Sequence, residues 1–398
     1  MTDSAVYWDP FDIEVDTLPY PTWKRMRDEA PVYYNERFDF YALSRHADVE
    51  TAHRLPGVYS SNHGIVLEMM SPNKFDGGQM IMMDPPDHEA LRTLVSRAFT
   101  PRRVAELESY IRATCNSLLD AVDGRDRFDF LQDYGALLPS MVISHLIGVP
   151  EVDRERTRLL IDEVFHIEPG VGMINDRSFI AQIQLHEYFA NQLVERQKNP
   201  QDDMFTDLTV AEMDTPDGKR RLTVTEMSNF ANLLVSAGTE TVAKLLGWTA
   251  LILDEYPDQR AELAADSSLL SNAVEELLRY EAPSPVQGRW THQAVELHGT
   301  TIPANSKVLL LTGAAGRDER RYADPDRFDI HRDLKGHVSF GFGIHFCLGA
   351  ALARMEGRVA IEEVLKRHPN FEVDRPNCRQ VHTSTVRGFA EVPVYVGG

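Results

Sequence analysis

Mainly helical structure with a smaller β region, in one domain over residues 1–398, is the fold class that the sequence predicts, and three patterns predict it. Most long segments repeat apolar residues at three- and four-residue spacing. One of them, from the capping-box pair Thr223 and Glu226 to Tyr256 before Pro257, runs about 30 residues, or roughly 45 Å at ~1.5 Å per residue. A helix of that length can cross a whole domain. Only two short stretches, 30–44 and 295–311, carry the marks of strands joined by turns.

In chain order, residues 1–20 hold Asp3, Asp9, Asp12, Glu14 and Asp16 without a basic region followed by an apolar one, so they do not read as a secretory signal. In 30–44, Val32-Tyr33-Tyr34 and the run 38–43 flank the polar Asn35-Glu36-Arg37 as strand, turn and strand. Residues 60–83, rich in Gly and Met, and 167–176, with Glu168-Pro169-Gly170 and Gly172, read as mobile binding loops or lids. Helices are predicted over 104–122, 155–165, 179–197, 225–255 and 271–280. The charged run 198–221, with Pro216-Asp217-Gly218, reads as a solvated surface excursion, and Gly299 and Pro303-Ala304-Asn305 punctuate short strands in 295–311. There is no internal repeat.

The 41 basic and 61 acidic residues leave a formal charge of −20, which excludes sequence-independent nucleic-acid binding, because phosphate neutralisation needs clustered Lys and Arg. Cys115, Cys347 and Cys378 are too few and too widely spaced for a disulfide framework, a zinc ribbon or an iron–sulfur cluster. No stretch approaches the ~18 consecutive apolar residues of a membrane span. A cytoplasmic, monomeric enzyme is expected.

Cys347 lies in Phe340-Gly341-Phe342-Gly343-Ile344-His345-Phe346-Cys347-Leu348-Gly349. The glycines permit close backbone approach, and the apolar run from Leu348 can open a helix whose free N–H groups favour a thiolate. The residue is either a small buried hydrophobe or a sulfur anion held against a metal. Within the long helix, Ala237-Gly238-Thr239-Glu240-Thr241 places a small pair before an acid and a hydroxyl. It is either an ordinary helix segment or a groove in which a ligand approaches the backbone and receives protons. Glu276 and Arg279, three apart near a helix end, are either a surface ion pair or part of a buried network. In Asp84-Pro85-Pro86-Asp87-His88-Glu89-Ala90-Leu91-Arg92, His88 and Arg92 share one helical face, which is either solvated or built to receive an anion.

Taken together these elements resemble the cytochrome P450 family. Phe340, Gly343, Cys347 and Gly349 match its haem-binding signature, Phe-x-x-Gly-x-x-x-Cys-x-Gly, and Ala237-Gly238-Thr239-Glu240-Thr241 is similar to its oxygen-binding groove. Glu276-Leu277-Leu278-Arg279, with Asp324-Pro325-Asp326-Arg327-Phe328, resembles the acid–arginine pair and the Pro-x-Arg-Phe element of the family. The motifs occur in family order between residues 84 and 349, and with the hairpins the resemblance covers essentially the whole chain. Gly316 stands where relatives often carry Asn.

The resemblance implies the P450 fold, a single triangular-prism-like domain with haem b (iron protoporphyrin IX) between the long central helix and the cysteine-bearing loop. Cys347 is then the axial iron ligand. Phe340, Gly349, Ala237 and Gly238 border the cofactor, and His88, Arg92, Arg289 and His345 bind its propionates. Thr241 and Glu240 form the proton relay, and Glu276, Arg279 and Arg327 a structural network. The substrate pocket is placed at Leu233, Ser236, Ala237, Pro285, Val286, Thr385 and Val386, with Ile65, Val66, Leu67, Met69 and Met70 as roof contacts. These residues are nearly all apolar, so a hydrophobic small molecule is expected, of terpenoid, fatty-acyl or sterol-like type. The implied reaction inserts one atom of O2. With no dinucleotide fingerprint in the chain, electrons must come from a separate NAD(P)H-dependent reductase through a ferredoxin or flavodoxin, docked near Arg97, Arg102 and Arg103. A peroxygenase driven by hydrogen peroxide and a non-catalytic haem sensor or carrier are the other readings; the Glu240–Thr241 pair argues against the first.

Overall fold

The long helix predicted around residues 225–255 is the element about which the others pack. In the computed structural model, which describes residues 6–75, 78–165, 168, 172, 174–215, 218–334 and 336–396, the elements used below are these. Helices are α1 (Tyr20–Glu29), α2 (His46–Arg54), α3 (Asp87–Ser96), α4 (Glu108–Asp120), α5 (Leu137–Ile147), α6 (Glu151–Val164), α7 (Asp176–Lys198), α8 (Val224–Glu255), α9 (Leu270–Tyr280) and α10 (Ala350–Arg367). Strands are β1 (Val32–Asn35), β2 (Phe40–Leu43), β3 (Tyr59–Ser60), β4 (Gln287–Thr291) and β5 (Lys307–Leu310).

The capping box of α8 forms as its residue types dictate: the Glu226 N–H donates to Thr223 Oγ1 at 3.2 Å and the Thr223 N–H to the Glu226 carboxylate at 2.8 Å. From there α8 runs 32 residues and contributes to two apolar clusters. On one side Val242, Leu245, Leu246 and Ala250 pack with Ile111, Cys115 and Leu119 of α4, Leu277 of α9 and Val359 of α10. On the other, Phe230, Ala231, Leu234 and Val235 meet Leu91 and Leu94 of α3, Ile143 of α5 and Leu185 and Phe189 of α7. A helix buried on nearly all sides is the scaffold on which a central ligand can be registered.

The β region is a five-stranded sheet in the order β1-β2-β5-β4-β3. The 30–44 hairpin forms with Val32 opposite Leu43, β5 joins β2 in parallel, and β4 pairs β5 antiparallel with Arg289 opposite Val308. In the 295–311 stretch, Val295–Leu297 pairs with Thr300–Ile302 before the chain enters β5. A separate hairpin, Arg379–His382 with Arg387–Glu391, lies against α8. Among the described residues no helix is long and apolar enough to cross a membrane.

Several expectations need correction. The helix expected over 104–122 is two, Pro101–Glu106 and α4, with Leu107 between them. Helix α5 was invisible to periodicity because Leu138, Val142, Ile143 and Ile147 are buried along with Ser140 and Ser144, leaving no polar face. The stretch 198–221 is not merely solvated: Met204, Phe205 and Leu208 of a short helix enter the second cluster, and Glu212–Thr215 pairs with Gly218–Arg221. Residues 60–83 are tied down rather than loose. The Gly288 N–H donates to the Ile65 carbonyl at 2.7 Å, the Ser71 N–H to His63 O at 3.1 Å, and Val66, Leu67, Met70, Met80 and Met82 are buried. Positions 76, 77, 166, 167, 169–171, 173, 216 and 217 lie outside the described residues, and with them most of the 167–176 loop.

The Glu276–Arg279 pair is buried, each at 0% exposure, with Arg279 Nε and Nη2 donating to the carboxylate at 2.6 and 2.7 Å. Arg279 also donates to the carbonyls of Gly316 at 2.7 Å and Pro325 at 2.8 Å, which ties α9 to the segment before the cysteine loop. Arg327 does not complete this network through its guanidinium. Its side chain is exposed and only its carbonyl takes part, at 3.3 Å from Arg279. The second guanidinium on Glu276 is that of Arg332, at 3.1 Å, because the turn at 324–330 folds Arg332 back over the carboxylate. Arg279→Met leaves Glu276 charged in the interior and is expected to cost about 3–5 kcal/mol of stability, while Arg327→Ala stays within about 0.5 kcal/mol, both read from denaturant melts.

Candidate active site

The cysteine loop is shaped by two left-handed glycines, Gly341 at φ 69° and Gly343 at φ 67°. At Gly343 a side chain is excluded twice over, by that φ and because a Cβ would sit 2.6 Å from the His53 carbonyl oxygen. The Cys347 N–H donates to the Phe340 carbonyl at 2.9 Å, closing the loop one turn before α10 begins. Phe340 lies beneath the Arg354 guanidinium, 4.5 Å from its ring centroid, and Arg354 is clamped by Glu275. Burial pushes the Cys347 thiol up, while the Gly349 N–H and the guanidiniums of Arg92 and Arg354 pull it down. A partly buried thiol of this kind becomes a thiolate when a metal ion takes the sulfur.

Around this loop the structure gathers basic groups from four separate parts of the chain. His88 and Arg92 come from α3, Arg289 from β4, His345 from the cysteine loop and His53 from α2. Arg92 donates to the Phe346 carbonyl at 2.6 Å, and the rings of His88 and His345 are 4.3 Å apart between centroids. Arg289 is buried, and among the described residues its hydrogen-bond partners are the carbonyl of Gly288 at 2.7 Å and His53 Nδ1 at 3.4 Å. Both ring nitrogens of His88, and Nε2 of His345 and of His53, are buried with no hydrogen-bond partner among the described residues. Burial, with neighbouring cations second, lowers His88 to about 4, His53 to about 3 and His345 to about 2; burial lowers Arg289 to about 10. Each orphaned buried donor costs about 1–3 kcal/mol, so this many in one place calls for a bound anion. Two carboxylates beside a sulfur-ligated metal meet that requirement, and haem carries both.

Helix α8 carries the predicted acid and hydroxyl. Ala237 is exposed near its middle, and Leu233, Ser236, Glu240 and Thr241 are partly exposed around it, so one short face of α8 is left uncovered there. Thr241 Oγ1 donates to the Ala237 carbonyl at 2.8 Å. At Gly238 a Cβ would meet the Ile143 side chain at 3.3 Å, so its small size serves the close packing of α5 on α8. Glu240 is paired with Lys244 at 2.8 Å.

The remaining predicted pocket residues are brought together, though not all line it freely. Thr385 Oγ1 donates to the Val286 carbonyl at 2.8 Å, joining the 283–286 segment to the tip of the C-terminal hairpin. Pro285, Val286 and Val386 are buried, and Val286 packs with Trp8, Trp23, Leu67 and Met70. Ile65 and Met69 are partly exposed and Val66 is buried. Of the expected docking arginines, Arg97 is exposed, Arg102 lies 3.4 Å from Glu106, and Arg103 is bridged to Asp207 at 2.8 Å.

His53, Lys244, Arg332 and Arg354 escaped the sequence reading. His53 has no local signal, since its relation to Arg289 spans 236 positions. Lys244 carried one, its spacing of four from Glu240.

The comparisons with known proteins agree with this geometry. The cytochrome P450 family model matches residues 38–392. Cytochrome P450 123 of Mycobacterium tuberculosis is 41% identical over 397 residues, covering 99% of this chain and 98% of the relative. The erythromycin C-12 hydroxylase of Saccharopolyspora erythraea is 37% identical over 379 residues, covering 94% and 93%. Among solved structures, cytochrome P450 CYP109Q5 from Chondromyces apiculatus superposes with a TM-score of 0.88 at 34% identity, covering 98% of this chain and 97% of that one. The chain belongs to the cytochrome P450 family. It is accordingly a P450 monooxygenase whose cofactor is haem held through a cysteine.

Two outcomes follow. Arg289→Met and His88→Phe each replace a donor by an apolar side chain, and haem transfer from the ferric protein to apomyoglobin is expected to quicken by about 10- to 100-fold. On α10, Glu356 is buried with Oε2 unpartnered, and burial pushes its carboxyl up to about 8 from 4.5. A folded value raised above the unfolded one means that its contribution is whole at low pH and is lost as pH rises through about 8. Glu356→Gln should therefore gain about 1–3 kcal/mol over the parent in denaturant melts above pH 8, and little or nothing near pH 4.5.

Proposed function

We propose that this enzyme uses O2 and externally supplied electrons to hydroxylate an uncharged, largely apolar small molecule of terpenoid, fatty-acyl, sterol-like or macrolide type. The observation that carries the reading is Cys347, a partly buried cysteine whose loop is ringed by basic groups with unpartnered ring nitrogens, in a fold whose central helix offers an acid and a hydroxyl on a partly exposed face. When bound, haem supplies oxygen activation and insertion, with thiolate donation favouring O–O cleavage.

The residues supply position and protons. Cys347 would hold the iron, and Phe340, packed between Arg354 and the loop, holds the sulfur's backbone in place. His88, Arg92, Arg289, His345 and His53 would bind the carboxylates of the cofactor. Thr241 holds a proton at Oγ1, directed to the Ala237 carbonyl, and Glu240 would pass protons from solvent to that hydroxyl. Leu233, Ser236 and Ala237 would present the substrate-facing surface of α8, with Thr385 on the C-terminal hairpin as a further wall, and the erythromycin hydroxylase among the relatives is in keeping with a bulky apolar substrate. Electrons reach the site from a ferredoxin or flavodoxin reduced by an NAD(P)H-dependent reductase, in the cytoplasm.

Titration of the ferric protein with dodecanoic acid, a terpenoid, a sterol and a macrolide, followed in the haem absorption band, tests the substrate class. A saturable low-to-high-spin shift with one class supports the proposal, and product formed with NADPH, ferredoxin and reductase completes it. Turnover with hydrogen peroxide alone, and none with the electron chain, would replace it by a peroxygenase. Cys347→His is expected to retain haem and to lose hydroxylation altogether.

A further inference from the structure

Lys244 is a lysine with almost no access to water, 7% exposed, one turn beyond the acid–hydroxyl pair of α8. Its Nζ lies 2.8 Å from Glu240 Oε1 and donates to the Phe389 carbonyl at 3.1 Å. A pair four apart on a helix is ordinarily a solvated contact worth a few tenths of a kcal/mol. This one is enclosed, with side-chain exposures of 8% for Lys244 and 18% for Glu240, so each charge depends on the other.

The opposing strand is built to admit it. Gly388, in Arg387–Glu391 of the C-terminal hairpin, lies so close that a Cβ there would meet Cβ and Cδ of Lys244 at 2.8 Å and Cγ at 3.0 Å. The missing side chain is the slot through which the lysine stem passes. The tip of the same hairpin is joined to the pocket segments, by Thr385 to Val286 and by Ser384 to Glu68 at 2.6 Å. Asp162 of α6 also lies within electrostatic reach of both groups, but it has its own cation, Arg158, at 2.7 Å.

We infer that Lys244 is a positioning residue for oxygen activation: anchored on the Phe389 carbonyl through the Gly388 slot, its ammonium holds the Glu240 carboxylate in the place from which it serves Thr241. The inference rests on the role given to Glu240 above. Lys244 itself neither gives nor takes the proton. Because its anchor strand leads directly into the tip at 383–386, the position of the acid is registered to the hairpin that borders the pocket, not to α8 alone.

A double-mutant cycle on the haem-loaded enzyme tests this. NADPH-driven O2 consumption, with a ferredoxin and its reductase in excess and dodecanoic acid as the organic probe, is compared for the parent, Lys244→Met, Glu240→Gln and the double variant, together with the solvent deuterium isotope effect. Lys244→Met keeps an unbranched stem in the slot and removes the ammonium, and with it both the pair with Glu240 and the hydrogen bond to the Phe389 carbonyl. Its turnover should fall by about tenfold or more with a raised isotope effect, and the double variant should be no slower than Glu240→Gln, because Lys244 acts through Glu240. The thiolate-type CO band should stay near the parent's, while the melting temperature falls in Lys244→Met, where Glu240 loses its counter-charge, and recovers at least in part in the double variant. Parental turnover in Lys244→Met, or an equal loss in both backgrounds, overturns the inference. Should Lys244→Met lose haem, Lys244→Gln, with a neutral donor on the same stem, is read in its place. A parent enzyme with a thiolate-type CO band whose O2 consumption is untouched by Glu240→Gln overturns the role of Glu240, and the inference with it.

Discussion

The site is governed by one electrostatic constraint: a sulfur that has to be negative, and a set of basic groups that have to meet a negative charge, are buried together. Neither requirement is met by the polypeptide alone. Burial raises the Cys347 thiol and depresses His88, His53 and His345, so the chain by itself favours neutral forms on both counts. A metal at the sulfur and two carboxylates among the donors reverse both preferences at once. That one planar group meets both needs makes the surrounding geometry intelligible, from the left-handed turn at Gly343 to the approach of His53 to Arg289.

The rest of the fold keeps those parts in register. Helix α8 reaches both apolar clusters, α9 is locked by the Glu276–Arg279 pair to the segment before the cysteine loop, and β4 delivers Arg289 from the sheet. Loops that read as free in one dimension are used as connections. The Gly288–Ile65 hydrogen bond fastens the 60–83 stretch to β4, and Ser384 and Thr385 fasten the C-terminal hairpin to that stretch and to Val286.

Substitution of one guanidinium for another at Glu276 is instructive. The family element pointed to Arg327, which lies in the right turn, but the turn exposes that side chain and directs Arg332 onto the carboxylate. Likewise Gly238 was legible as small, but only the helix rotation shows its Cβ position turned toward Ile143. Both cases have one cause. Residue type and spacing along the chain determine what a side chain can do, and rotation about a helix or turn decides which neighbour it meets.

Local chemistry is what the sequence by itself determined: the capping box of α8, the hairpin at 30–44, the Gly-rich loop around Cys347, and the acid–hydroxyl pair at 240–241, each a matter of residues a few positions apart whose backbone preferences and hydrogen bonds are short-range. Tertiary structure alone decided the meetings of distant segments. His53 with Arg289, Lys244 with Gly388 and Phe389, Arg332 with Glu276 and the apolar burial of α5 depend on long-range packing, in which a contact is favourable only after the intervening chain has been placed.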